Sequence, residues 1–546
     1  MRLLRVCFAI ALVFLAAPVM CLVLDGFDSG ADKPVEGGAA DLSGSRRIGF
    51  TPDQDGLRKG TVRFDNLAAE AGHGEIKLST SQISPNGDGF RDSVKITAIA
   101  SPNTDLDLRV YDSKGKLVST LTEGFVMGHR QAELSWDGTG AVRRVPPGIY
   151  TIKATFKGKQ TTTHQARIKV EDVPATKPIK YQAKPFFPIG VWFEGNPLWG
   201  GYPNSVAGAK AYYDRCFADM AAHGINTVAV PNCPESLWET LLQSAERHRI
   251  KVVLEVGPLV SLITSGAATE AQVHKAVRHI HGKIGKYQSL LRYQVRDEPS
   301  PTMVSNWLLV QRVLATVDPT RPAFSCFCSV DALASVASQT KLSEAVFDIY
   351  PLGEGVAAQA LGGFVPALDA FIKASADNTP WVVLQSFAKP GAWRYPSPEE
   401  LRAMTYLSLA AGCKGVFYFI YQTLPSHPEK LEGLVDSEGK PTPIYDEVTK
   451  LAREIAKLSP LLLQLKATST SPSVQTEARL AGFVDRTGRR VLILASARPD
   501  AAINAKLTGV TAGSWRDAIS GETFASADGS MEVPLGPGCG RVLIHQ

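Results

Sequence analysis

The hydrophobic pattern of this chain changes period twice, and the changes divide it. From about Glu75 to Val173, short runs alternate apolar and polar residues: VKITAIA, LDLRVYD, GKLVSTL, AELSWDG, GIYTIKATF and QARIKVED. Successive side chains of a strand face opposite ways, so period two predicts half-buried strands. Several such strands between turn residues predict a small β-sandwich. From Phe187 the runs become almost continuously apolar and are separated by stretches with helical spacing. The strands are Phe187–Phe193, Asn226–Val230, Lys251–Val256, Leu291–Val295, Ala323–Cys328, Ala345–Tyr350, Trp381–Ser386 and Lys414–Tyr421. The helices are Tyr212–His223, Leu237–His248, Ala271–Tyr287, Val304–Val317, Val365–Ser375, Ser397–Ala411 and Ile444–Leu458. Continuous apolar runs suit parallel strands covered on both faces. Eight of them in about 280 residues predict an α/β (β/α)8 TIM barrel. The short link between the fifth and sixth strands, with no helix assigned to it, is the weak point of that count. From about residue 470 the strand pattern returns in ARLAGFVD, RRVLILAS, AINAKLTG, MEVPLG and GRVLIHQ, which predict a small C-terminal β-sandwich packed on the barrel.

The expected fold is therefore multidomain: residues 75–173 a sandwich, 180–462 the barrel and 470–546 a second sandwich. At 546 residues the length fits about three or four domains. Residues 25–74 are rich in Gly, Ala, Asp and Ser and read as a flexible linker. In residues 1–24, Arg2 and Arg5 precede an apolar run from Cys7 to Leu24, the pattern of a signal peptide. The run sits at the lower limit for crossing a bilayer, so an N-terminal anchor is the alternative, and membrane attachment is expected there alone. Pro18-Val19-Met20 before Cys21 lacks the small residues of a lipidation site. The expected location is exported: periplasmic, cell-surface or extracellular.

Charge and cysteine content narrow the classes. The net charge of +5 is spread over the chain without a basic block, which argues against nucleic-acid binding. The eight cysteines form neither a disulfide framework nor a zinc pattern. Cys326 and Cys328, two apart on one strand, share a face and read as small apolar core residues. Cys216 and Cys233 are the pair that an oxidising compartment would join, which spacing does not decide. There is no Gly-rich phosphate loop, HExxH or G-x-S-x-G.

The chemistry collects at the C-terminal ends of the barrel strands, where such barrels place their active sites. Strand one ends in Trp192-Phe193-Glu194, strand three carries Glu255, and strand four runs through LRYQVRDEP into Asp297-Glu298-Pro299. Strand six ends in Asp348-Ile349-Tyr350-Pro351, strand seven in Gln385-Ser386-Phe387, and strand eight carries Tyr418, Phe419, Tyr421 and Gln422. Carboxylates, amides and aromatic faces at one rim suit a sugar. Glu298 is the expected general acid and Asp348 the expected base. Asp297, Gln385, Trp192, Glu194, Tyr350 and Tyr418 are expected to line the pocket. Arg296 is placed to lower a neighbouring carboxylate by ion pairing. Glu399 and Glu400 read instead as part of a helix start: Ser397 at N-cap, Pro398 at N1 and Glu400 at N3 make a capping box.

Two resemblances follow. Ser84-Pro85-Asn86-Gly87-Asp88-Gly89, Asp92, Val110-Tyr111-Asp112, Trp136-Asp137-Gly138 and Val145-Pro146-Pro147-Gly148-Ile149-Tyr150 resemble the immunoglobulin-like domain named for the flagellar hook-capping protein FlgD. The resemblance covers about 90 residues and implies a spacer or adhesion module rather than a reaction. Asn86, Asp88 and Asp92 there can offer oxygens to a structural Ca²⁺; otherwise they cap tight turns, and no other cofactor is expected. The strand order from Phe187 to about Leu458 resembles the clan of barrel glycoside hydrolases that includes β-galactosidases and cellulases. In that clan the acid/base glutamate ends strand four within Asn-Glu-Pro and a nucleophilic glutamate ends strand seven. Here those positions read Asp297-Glu298-Pro299 and Leu384-Gln385-Ser386, so the resemblance implies the acid and not the nucleophile. The implied partner is an oligo- or polysaccharide, hydrolysed through Glu298 and Asp348. The alternative is a non-catalytic carbohydrate-binding or cell-envelope protein that kept the barrel.

Overall fold

The computed structural model describes residues 74–546 apart from 86–91, 102, 128–129, 142–143, 159, 173–181, 266–267, 425–429, 469–471 and 475–476. The expected leader, most of the linker, Asn86 and Asp88 lie outside the described residues. The chain divides into two compact units. Among the described residues, one contains 74–77, 96–134 and 150–167; the other contains 78–95, 135–149 and those from Ile168 onward.

The first unit is antiparallel β. Its central strand, Thr104–Tyr111, buries alternate apolar side chains, as period two requires. It pairs on one side with Leu117–Met127 and on the other with Gly148–Lys157.

The second unit holds the barrel. Its parallel strands are Ile189–Trp192, Thr227–Val230, Lys251–Glu255, Leu290–Gln294, Ala323–Phe324 with Cys326–Phe327, Glu344–Ile349, Thr379–Gln385 and Val416–Phe419. They pair in chain order, and the last returns to the first through Val416↔Ile189. The fifth strand is broken at Ser325. Its first half pairs with strand four and its second with strand six. Ser325 accepts a hydrogen bond from Trp307 Nε1 at 2.8 Å.

Two helices were not foreseen. Val330–Ala337 occupies the link between strands five and six, capped by Ser329, whose side chain accepts from Ala332 N. With only two turns it offers too short a window for the 3.6-residue period to register. Gly257–Thr264 follows strand three. The first long helix also begins earlier than expected, at Val206, because Ser205 caps it. The capping box at Ser397–Glu400 is present as read.

The side chains of the barrel strands form two separate layers. Val252, Leu254, Val382, Leu384, Val416 and Tyr418 face the surrounding helices. Trp192, Val253, Phe324, Cys326, Val346, Trp381, Val383 and Phe417 face inward. Deep in the interior Arg292 makes a two-pronged ion pair with Glu344, at 3.0 and 2.6 Å.

The C-terminal strands form a six-stranded and a three-stranded antiparallel arrangement. Phe483, Val491, Ile493, Ala495 and Val542 from these strands belong to the same buried cluster as the barrel helices. Among the described residues no helix is long and apolar enough to cross a membrane.

Candidate functional site

Strand four brings the acidic pair to the barrel mouth. Leu290–Gln294 lies between strands three and five, with Glu255↔Gln294 and Gln294↔Phe324 in register. Past the strand, Val295 N donates to Phe324 O at 3.0 Å and Glu298 N to Cys326 O at 2.9 Å, so the turn stays fastened to strand five. Glu298 sits at φ 45°, in the left-handed region. A non-glycine residue is strained there, and such strain gathers at functional sites. The Glu298 side chain is exposed at the mouth.

Strand six supplies Asp348, which is buried. Its alternation puts Val346 and Asp348 on the inward face, and Val346 joins the inner aromatic layer. Cys326 Sγ lies 3.7 Å from Asp348 Oδ1, and the Tyr350 hydroxyl also bonds this carboxyl. Burial first, and the negative charge of Glu298 second, push the Asp348 carboxyl up to about 7. The two acids expected to act together are therefore close enough to feel each other.

Asp297 precedes Glu298 and feels the charges of three acids. Burial and the charges of Glu298, Asp348 and Glu255 hold it well above the usual carboxylate range. Arg296 does act to lower it, as expected, but the opposing effects win. Glu255 is raised as well, by burial. Cys328 departs from expectation. It is exposed rather than a core residue, and partial desolvation of its thiol, followed by the charges of Glu298 and Asp348, pushes it up to about 12. Cys216 and Cys233 are separate free thiols.

Of the residues expected to line the pocket, Trp192 and Tyr350 belong to the inner aromatic layer. Trp192 is buried in the inner layer, 5.8 Å from Phe417 and 6.2 Å from Phe419 between ring centroids. Tyr350 packs on Phe387 at 5.2 Å and on Phe419 at 5.5 Å, and Phe387 reaches Trp393 at 5.8 Å.

Tyr418 is not brought there. It faces outward, with its hydroxyl 3.4 Å from Thr405 on a surrounding helix, and Phe419 holds the inward position. In the wholly apolar run VFYF, period two gives no contrast to decide which neighbour turns in. Phe387 and Trp393 were not singled out either. Phe387 was visible at the end of strand seven, whereas Trp393 comes from a loop with no periodic signal.

Gln385 and Glu194 reach the rim already engaged. Gln385 Oε1 accepts from Leu352 N at 2.9 Å, and its Nε2 donates to Leu352 O at 3.2 Å and Arg394 O at 2.9 Å. The amide thus clamps the loop after strand six to the loop after strand seven. The Glu194 carboxylate accepts from Asn232 Nδ2 at 3.0 Å and Asn196 N at 3.2 Å. Burial nevertheless raises its pKa. Asp92 is described, but its expected calcium partners Asn86 and Asp88 are not. Among the described residues no group of three or more His, Cys, Asp or Glu side chains is arranged to hold a metal ion.

The arrangement sets two acids on either side of the end of strand five, each against Cys326, beside an aromatic layer, where a carboxyl can hold and release a proton. A family model described as beta-galactosidase, glycoside hydrolase family 42, matches residues 302–458, beginning just after Glu298. Similar solved structures include a GH2 beta-galacturonidase from Eisenbergiella tayi bound to galacturonate. It is 15% identical over 66% of this chain and 69% of that one, with a TM-score of 0.37. A beta-glucuronidase from an uncultured Clostridium species is 13% identical over 70% and 68%, TM-score 0.39. The beta-galactosidase of the psychrophilic Marinomonas ef1 is 14% identical over 50% and 61%, TM-score 0.41. No curated protein sequence matches the chain. The family match spans strands five to eight of a parallel barrel closed in chain order, and the barrel is accordingly glycoside-hydrolase-like.

Proposed function

We propose that the protein hydrolyses a glycosidic bond with Glu298 and Asp348 as its two carboxyls. The observation that carries this is that the two acids flank the end of strand five: Glu298 N donates to Cys326 O at 2.9 Å, and Cys326 Sγ lies 3.7 Å from Asp348 Oδ1. In glycoside hydrolysis one carboxyl arrives protonated and the other ionised, and separated pKa values set the roles. The raised pKa of Asp348 favours it as the proton carrier, a role expected from strand position for Glu298. The wall of Trp192, Tyr350, Phe387, Trp393 and Phe419 supports a pyranose ring as the group bound.

Export through residues 1–24 and a FlgD-type immunoglobulin-like module at 75–173, with or without Ca²⁺ at Asn86, Asp88 and Asp92, belong to the same reading. They place the barrel outside the cytoplasm, where polysaccharide is met. The engagement of Gln385 favours a second reading. Its amide is tied to three backbone groups where the clan carries its nucleophile, as befits a barrel that binds glycans without cleaving them.

The test is a screen of aryl glycosides and polysaccharides with wild type, Glu298→Gln and Asp348→Asn. Turnover lost in both variants supports hydrolysis; turnover unaffected by Glu298→Gln removes that residue from the mechanism. Glycan binding without turnover supports the second reading.

A further inference from the structure

Apart from Glu298 and Asp348, the barrel mouth holds a second pair of acids for which the proposed reaction has no use. Glu194 follows strand one and Glu255 ends strand three. Asn232, just past strand two, holds both. Its Nδ2 donates to Glu194 Oε2 at 3.0 Å, and its backbone N–H bonds the Glu255 carboxyl. Asn232 does this at φ 56°, in the left-handed region that asparagine tolerates better than most residues. One strained turn thus sets the two carboxyls on either side of a single residue.

Next to this pair lies an amide that the chain leaves unmatched. Gln294 is in register with Glu255 on one side and with Phe324 on the other. Phe324 belongs to the inner layer, so the Gln294 side chain faces the barrel interior at the level of Glu255. Gln294 is fully buried, and among the described residues neither its Oε1 nor its Nε2 has a hydrogen-bond partner. Native proteins keep few such atoms, because each costs free energy. An unmatched amide turned into a polar mouth points to a ligand.

The lining sets the charge of that ligand. Glu194, Glu255, Asp297, Glu298 and Asp348 are acids. Against them, Arg296 acts on Glu255 and Asp297, while Lys389 lies over the Trp393 ring, 5.9 Å from its centroid. Carboxylates withdrawn from water without matching cations are costly, and burial raises both Glu194 and Glu255. A cation carried by the ligand relieves that cost; a neutral or anionic sugar does not. The whole chain carries +5, so the acidity is local to the mouth and not a general attraction for polycations.

We propose that the mouth takes an amino sugar, a glycan with a free protonated amine, and seats the ammonium against the Glu194–Glu255 pair with Gln294 Oε1 accepting one of its hydrogens. The proposal rests on the glycan reading and names its substrate class.

Calorimetry of the full chain tests it at about pH 6, where an amino-sugar amine holds its proton. The probes are the β-1,4 tetramers of glucosamine, N-acetylglucosamine and glucose, alike but for the group at carbon 2. Galactosamine and galactose form a second amine–hydroxyl pair, and tetragalacturonate is the anion. The amine is expected to bind at least about tenfold tighter than the hydroxyl, the worth of one hydrogen bond to a charged group. Glu255→Gln, which keeps the shape and an acceptor for Asn232 N, is expected to bring that ratio toward one. Equal affinities within both pairs, a ratio undiminished in Glu255→Gln, or tetragalacturonate as the tightest ligand overturns the proposal. Glycan binding without preference for the amine leaves the glycan reading standing and removes the amine; binding of no probe removes both. Should Glu255→Gln not fold, salt decides. Added NaCl must then weaken the amine's binding more than the hydroxyl's, and an equal response overturns the proposal.

Discussion

At the scale of the residue, Asp348 sets the pH behaviour. Its carboxyl loses the proton at about pH 7, because burial and Glu298 both disfavour its charge. If Asp348 delivers the proton, kcat/KM falls as pH rises through about 7. If Asp348 is the base, kcat/KM rises through the same point. A pH–rate profile on the best substrate of the screen distinguishes the two. Replacing Glu298 by Gln removes the like charge, so the Asp348 limb moves to lower pH in any activity that survives. Both residues were readable as strand-end candidates. The raised proton affinity of Asp348 was not, because it depends on burial and on the charge of Glu298 beside it.

At the scale of the element, the loops above the strands are held by a few buried polar side chains. Gln385 ties Leu352 and Arg394 together. Glu400 is fully buried, closes the capping box at Ser397 and pairs with Arg394 at 2.7 Å. Gln385→Leu would leave the Leu352 amide and the Arg394 carbonyl without this partner, while the Leu352 carbonyl keeps its bond from Arg394 N. A cost of at least about 2 kcal/mol follows, since each buried group left unsatisfied is worth about 1–3 kcal/mol. Chemical denaturation should show a lower midpoint with an unchanged slope. An unchanged midpoint would mean that the clamp is not structural. The helix cap was legible because capping is local; the Gln385 clamp was not, because its partners come from two loops without a periodic pattern.

At the scale of the whole molecule, the C-terminal strands are part of the barrel's core rather than an appendage. Gly540 lies against Tyr406 on the helix Pro398–Ala410, and a Cβ there would meet the ring at 2.2 Å. At Gly538, φ is 63° and a Cβ would come within 2.0 Å of the Glu399 carbonyl. Gly540→Ala should therefore destabilise the protein by about 1–3 kcal/mol through overpacking, read as a lower unfolding temperature. Ending the chain after Leu465 removes Phe483, Val491, Ile493 and Val542 from the shared cluster. The expected outcome is a barrel recovered only as aggregate; a soluble, cooperatively unfolding fragment would contradict the shared core.

The sequence by itself determined the parallel barrel within the second unit and placed the acidic candidates at its strand ends. Continuous apolar runs separated by amphipathic stretches leave few alternatives to a barrel, and catalytic candidates in a barrel stand where strands end. It also determined that Glu298 and Asp348 share one rim. Tertiary structure alone decided which way Tyr418 and Phe419 turn, that Cys328 opens to the mouth while Cys326 does not, and that Gln385 spends its amide on backbone. The reason is physical. Period and capping are written in neighbours along the chain, whereas burial, charge compensation and hydrogen-bond partnership belong to residues that meet only when the barrel closes.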